Sequence, residues 1–206
     1  MIIQKKYQSA LLAIVALSGL ATVLPATAGE LTAEQIRDQL KASKTRSLSG
    51  ERPAAAAEDR AAVERISRTR SLSAGDREQM AAIAAKRPAV DLEVNFDYNS
   101  AAITPKSEPQ LDNLGKALTS SDLQGAIVML AGHTDAKGSD PFNQGLSERR
   151  AEAVKKYLIE RYKIPADHLI SAGYGKTKLK DPNDPLGPEN RRVQIVNMAE
   201  RDQAAK

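Results

Sequence analysis

The chain of 206 residues reads as an α+β protein whose second half runs β-α-β-α-β-β, a sandwich of helices packed on a mixed sheet. Three observations predict this class. An alternating segment opens near residue 90, a continuous apolar run occupies 126–131, and two helical segments with one apolar face separate the strands.

Each element has a local reason. Val90, Leu92, Val94 and Phe96 alternate with Asp91, Glu93, Asn95 and Asp97, the period of a half-buried strand. Thr104-Pro105 then opens a helix with Leu111, Leu114 and Leu118 on one face, and Pro109 falls early enough to be tolerated. The run Ala-Ile-Val-Met-Leu-Ala at 126–131 suits a central strand. A polar, Gly-rich loop over 132–145 leads to a second helix, expected from 147 to about 162. Leu169-Ile170-Ser171-Ala172 reads as the third strand, with Val193 and Ile195 as inward residues of the fourth. A Pro- and Gly-rich loop over 176–190 joins them.

The first 89 residues look different. Lys5 and Lys6 precede an apolar run over 10–23, followed by Pro25 and Ala26-Thr27-Ala28, the plan of a secretory signal peptide over 1–28. The run falls short of the roughly 20 residues that a membrane span needs; an uncleaved anchor is the competing reading. Removing it takes away two Lys and no acid, lowering the formal charge from +4 to +2. Residues 29–89 are rich in Ala, Arg, Ser and Glu and poor in large apolar residues, so an independent core is not expected there. Short helices fit around 33–40, 56–66 and 77–85, in a largely disordered or helical linker. Thr45-Arg46-Ser47-Leu48-Ser49 recurs as Thr69-Arg70-Ser71-Leu72-Ser73. Two readings stand for this segment, a solvated linker or a docking segment for a partner. The remaining units are a domain over 90–198 and a tail over 199–206.

Composition narrows the chemistry. The absence of Cys excludes disulfides, zinc-thiolate sites, cysteine nucleophiles and a lipidated cysteine. Two His, no Trp and 3% aromatics supply neither a His-rich metal site nor a base-stacking platform. A mild positive excess does not point to nucleic acid. No metal and no cofactor are expected. Catalysis is not expected either: His133 and Asp135 sit two apart where a strand ends, and no Gly-x-Ser-x-Gly elbow accompanies Ser147. His133 is expected to cap or pack at the strand end, and His168 to lie in a loop.

One arginine stands out. On a helical wheel with Arg150 at 0°, Val154 falls at about 40°, Tyr157 at about 340°, Leu158 at about 80° and Ala151 at about 100°. Arg150 therefore lies in the apolar stripe, while Glu148, Arg149, Glu152, Lys155 and Lys156 face solvent. A buried guanidinium needs an acceptor. Asp135, just past the second strand, is the obvious one. The two could pair as a structural salt bridge, or bracket a zwitterionic ligand, Arg150 taking its carboxylate and Asp135 its ammonium.

Gly132-His133-Thr134-Asp135, Gly138, Asn143, Leu146-Ser147-Glu148-Arg149-Arg150-Ala151, Gly173-Tyr174-Gly175 and Asn190-Arg191-Arg192-Val193 together resemble the OmpA-like domain that ends OmpA, Pal and MotB proteins. The resemblance covers about 91–198, roughly half of the chain. It implies non-covalent binding of bacterial peptidoglycan through the diaminopimelate of its stem peptide. On this basis Asp135 meets the amino group at the free end of that residue and Arg150 the adjoining carboxylate. Asn143 and Asn99 line the pocket, and Arg191 reaches it from the start of the last strand. With the signal peptide, the resemblance makes a soluble periplasmic protein docked on the wall the default expectation, anchoring or tethering the envelope to it, with association with the outer membrane left open. Unlike larger members, residues 30–89 lack the alternating strands of a membrane barrel. The alternative function is an assembly protein whose linker over 30–89 recruits an envelope partner while the C-terminal domain only anchors it.

Overall fold

The computed structural model describes residues 30–41, 53–97 and 99–199. The expected signal peptide, the first copy of the repeat and residues 200–206 of the tail lie outside the described residues. Among those described, no helix is long and apolar enough to cross a membrane.

Four strands form one mixed sheet: β1 (Ala89–Leu92), β2 (Ile127–Gly132), β3 (Leu169–Gly173) and β4 (Val193–Ala199). Their order is β1-β4-β2-β3. β4 pairs antiparallel with β1 and β2, and β2 pairs parallel with β3 in the register Val128 to Leu169 through Gly132 to Gly173. The β-α-β-α-β-β order is therefore present, with α4 (Glu108–Leu118) and α5 (Asp140–Tyr162) as its two helices.

Two boundaries differ from expectation. β1 stops at Leu92, and Phe96 only bridges Ile103. Beyond Leu92 hydroxyls take over from a neighbouring strand: Ser107 Oγ accepts from Asn95 N at 2.7 Å, and Thr104 and Ser107 both donate to the Asn95 carbonyl at 3.0 Å. α5 begins at Asp140, seven residues before the expected start. Pro141 fits the first turn, where its missing N–H costs nothing, and the Gly-rich stretch that reads as loop is the helix's own beginning.

The sheet is covered on both faces. Val90, Leu92, Val128, Leu130, Leu169, Val193 and Ile195 pack under α4 and α5, joined by Ile36 and Leu40 of α1 (Ala33–Lys41). The opposite face, with Met129, Ala131, Ile170, Ala172, Val196 and Met198, packs on Val63, Ile66, Met80 and Ile83. These last four come from α2 (Pro53–Ser67) and α3 (Ala74–Ala84). The unbroken apolar run of β2 follows: both sides of it are buried.

The helices expected before residue 85 are thus present, but those described are not a solvated linker. Few large apolar residues suffice because the helices borrow the sheet as their core. Ile36, Leu40 and Met80 are fully buried. α1 starts with a capping box between Thr32 and Gln35, and Lys41 reaches Asp122 at 2.7 Å. The second copy of the repeat is the elbow between α2 and α3. There Ser73 caps α3, accepting from Asp76 N at 3.1 Å while Asp76 accepts from Ser73 N at 3.2 Å.

Truncating these contacts tests the assignment. Ile66→Ala and Met80→Ala are each expected to lower unfolding free energy by about 2–4 kcal/mol in urea titrations. A solvated linker would show shifts below about 0.5 kcal/mol.

Candidate functional site

The site lies where β2 and β3 end. A Cβ on Gly132 would collide with the Ser147 carbonyl, and one on Gly173 with Ser147 and Glu148. With glycine at both positions, the first half of α5 rests directly on the strand ends. Ser147, fully buried, closes this contact by donating to the Gln144 carbonyl at 2.8 Å and accepting from Gly175 N at 2.8 Å. Its hydroxyl is structural.

Arg150 faces inward, as the wheel requires, and is 9% exposed, while its neighbour Arg149 is exposed. Its Nε donates to the Ser100 carbonyl at 3.1 Å, and its guanidinium carbon lies 4.8 Å from the Phe96 ring centroid. Among the described residues no carboxylate lies within ion-pairing distance of it. Burial holds its pKa below the usual arginine value, and the nearby Arg191 charge adds to this; Asp135 opposes and Arg149 reinforces the lowering. The group stays charged at all working pH.

Asp135 does not pair with Arg150. Its Oδ2 accepts from Arg191 Nη1 at 2.9 Å and its Oδ1 from Lys137 N at 3.1 Å. Of the two readings left open by the sequence, the direct Arg150–Asp135 salt bridge is therefore absent. Asp135 and Arg191 still act on the Arg150 charge, the first raising and the second lowering its pKa.

The two asparagines take different places. Asn99 is exposed, with φ 55°, in the turn that presents the Ser100 carbonyl to Arg150. Asn143 is 2% exposed and donates to the Lys137 carbonyl at 2.9 Å, so it holds the Asp135 loop from beneath. Lys176 steadies the same loop through the Gly138 carbonyl at 3.0 Å and Asp140 at 2.8 Å.

Sequence reasoning missed the scaffold that delivers Arg191. Asn190 is fully buried; its Oδ1 accepts from Lys180 N at 2.7 Å and Asp181 N at 3.0 Å, and its Nδ2 donates to the Asp184 carbonyl at 2.8 Å. Asp91, expected on the solvent side of β1, binds Lys180 at 3.1 Å and Arg192 at 3.1 Å. Burial raises its pKa, but these two cations outweigh that and hold the carboxyl below its usual range.

His133 packs at the strand end as expected. It is 3% exposed and stacks on Tyr174 with centroids 5.6 Å apart. Among the described residues neither ring nitrogen makes a well-formed hydrogen bond, although the Lys178 backbone lies near the ring. Burial, then the Arg192 charge, pulls its pKa from 6.5 to about 3, with Asp91 opposing. His168 lies in the turn before β3, at the opposite end of the sheet. Among the described residues no cluster of three or more His, Asp or Glu could hold a metal.

The His133 shift has a signed consequence. Between pH 6.5 and about 3 the unfolded chain binds a proton that folded His133 does not. Stability should therefore be complete above pH 6.5 and fall with acidification, levelling near pH 3. His133→Asn is expected to flatten the decline of the urea midpoint on moving from about pH 7 to about pH 5.

Residues 95–192 match the model of the OmpA family. Outer membrane protein A of Escherichia fergusonii is 42% identical over 85 residues, covering 41% of this chain and 35% of that protein. The same-named protein of Escherichia coli O157:H7 is also 42% identical over 41% of this chain, which spans 24% of its length. The chain thus spans about a quarter to a third of these curated relatives. Among solved structures, the peptidoglycan-associated lipoprotein from Burkholderia pseudomallei aligns with 25% identity, covering 55% of this chain and 92% of that one, at a TM-score of 0.43. The matched segment, just under half of the chain, contains β2, β3, α4, α5 and the residues Asp135, Arg150 and Arg191, and is similar to the OmpA family.

Proposed function

We propose that this domain binds bacterial peptidoglycan non-covalently through the diaminopimelate of its stem peptide, tethering the cell envelope to the wall from the periplasm. The observation that carries the reading is Arg150. It is nine-tenths buried, fixed by one carbonyl and one ring, and left without a carboxylate partner among the described residues. A buried cation without its counter-charge is costly, and a ligand carboxylate on the remaining N–H groups removes that cost. Asp135 supplies the opposite pole for the ligand's ammonium. Arg191, with its side chain 47% exposed, can yield Asp135 Oδ2 or share it, because a half-solvated ion pair contributes little to stability. The resemblance of the surrounding motifs to OmpA-like peptidoglycan-binding domains supports the same reading.

Binding proceeds without chemistry on the ligand. The Ser147 hydroxyl is committed to Gln144 and Gly175, and the neutral His133 ring is packed against Tyr174. The partner-recruiting alternative gains no support from the second repeat copy, whose Ser73 and Leu72 are used within the chain.

Co-sedimentation with purified diaminopimelate-type peptidoglycan tests the reading. The wild type is expected to pellet, while Asp135→Ala and Arg150→Ala stay in the supernatant with unchanged circular dichroism. Arg150→Lys, which loses the planar fork, is expected to weaken binding about tenfold or more. The recovered wall should be chemically unchanged. Pelleting of Arg150→Ala to the wild-type extent would overturn the assignment.

A further inference from the structure

The hairpin of α2 and α3 lies wholly outside the segment that matches the family model, yet it touches both elements that carry the site. Arg77 of α3 is the joint. Its Nη1 donates to Glu148 Oε1 at 3.2 Å and to the Leu72 carbonyl at 2.9 Å. Glu148 lies two residues before Arg150 on α5, and its Oε1 also accepts from Gln144 Nε2 at 2.7 Å. That same amide nitrogen donates to the Gly173 carbonyl at 2.8 Å. The backbone of Arg77 makes a second link, its carbonyl accepting from Tyr174 Oη at 3.0 Å. Tyr174 stacks on His133, which precedes Asp135 by two residues. One residue of the hairpin is therefore connected to the Arg150 helix through its side chain and to the Asp135 loop through its backbone.

From this juxtaposition we infer that Arg77 is a positioning residue for the ligand site, and that docking of the α2–α3 hairpin and occupation of the site are thermodynamically coupled. The inference rests on the wall-binding reading. The hairpin braces, through Arg77, the seating of α5 on the ends of β2 and β3 that Gly132 and Gly173 permit. Arg150 is carried by α5 and Asp135 follows β2, so the two poles move with the elements that the hairpin touches. The second Thr-Arg-Ser-Leu-Ser copy has its use here: Ser73 starts α3 and the Leu72 carbonyl orients Arg77. By linkage, a ligand that favours the docked geometry must tighten the hairpin by the factor with which the hairpin tightens the ligand.

The test uses the chain with a soluble L-Ala-γ-D-Glu-diaminopimelate-D-Ala peptide as probe. Calorimetric titration of Arg77→Ala is expected to show affinity about three- to fivefold weaker than wild type, the range of a partly exposed ion pair. Arg77→Lys should recover most of the loss. Glu148→Gln should show the same loss, non-additively with Arg77→Ala. Saturating peptide should slow hydrogen exchange of the α3 amides in the wild type but not in Arg77→Ala, a readout that a merely structural prop would leave unmoved. Equal affinity of Arg77→Ala and wild type, or α3 exchange indifferent to peptide, overturns the coupling while leaving wall binding intact. A folded wild type with no affinity for the peptide overturns both, and the wild-type titration alone identifies that case.

Discussion

The direct seating of α5 on the ends of β2 and β3 governs the rest of the structure. Gly132 and Gly173 leave no side chain between helix and strands, so Ser147 can bond the loop at Gly175 and Arg150 can enter the interior one turn later. A Cβ at either glycine would push the helix off the sheet and withdraw Arg150 from the Ser100 carbonyl. Tight backbone packing thus fixes a charged group more firmly than any partner charge does here.

That firmness explains the electrostatics. Arg150 is held by a carbonyl and an aromatic face, both of which leave its positive charge uncancelled. Asp135 is balanced instead by Arg191, whose side chain is half in solvent. For the proposed ligand, a buried cation beside a loosely partnered carboxylate would be preorganised, since the costly desolvation is already borne by the fold. On the other face, Asp91 shows the contrasting solution, with two cations on one carboxylate and a closed structural cluster.

Coverage of both sheet faces is the second organising constraint. α1 packs beside α4, while α2 and α3 shield Met129, Ile170, Val196 and Met198. An exposed face of this kind would be a liability for a free chain. The polar composition of the N-terminal segment is compatible with this task because each of its helices contributes only two large apolar residues and the sheet provides the rest. Low hydrophobic content marks a segment that cannot fold alone; it does not mark one that stays undocked.

Local chemistry was enough for the element order, the central position of β2 and the inward direction of Arg150. Periodicity along the chain reports which face of an element is apolar, and an arginine within that face is visible without coordinates. The early start of α5 was hidden because Gly145, Asn143 and Pro141 carry loop propensity that tertiary packing overrides. The docked state of α2 and α3 was hidden because their partner, the second face of the sheet, is assembled from strands up to about 140 residues away. The pairing of Asp135 with Arg191 rather than Arg150 was hidden for the same reason. A sequence states which groups need a partner, but only the packed chain brings candidates within reach, since ion pairs and helix docking are decided by distances of a few ångströms across segments remote in sequence.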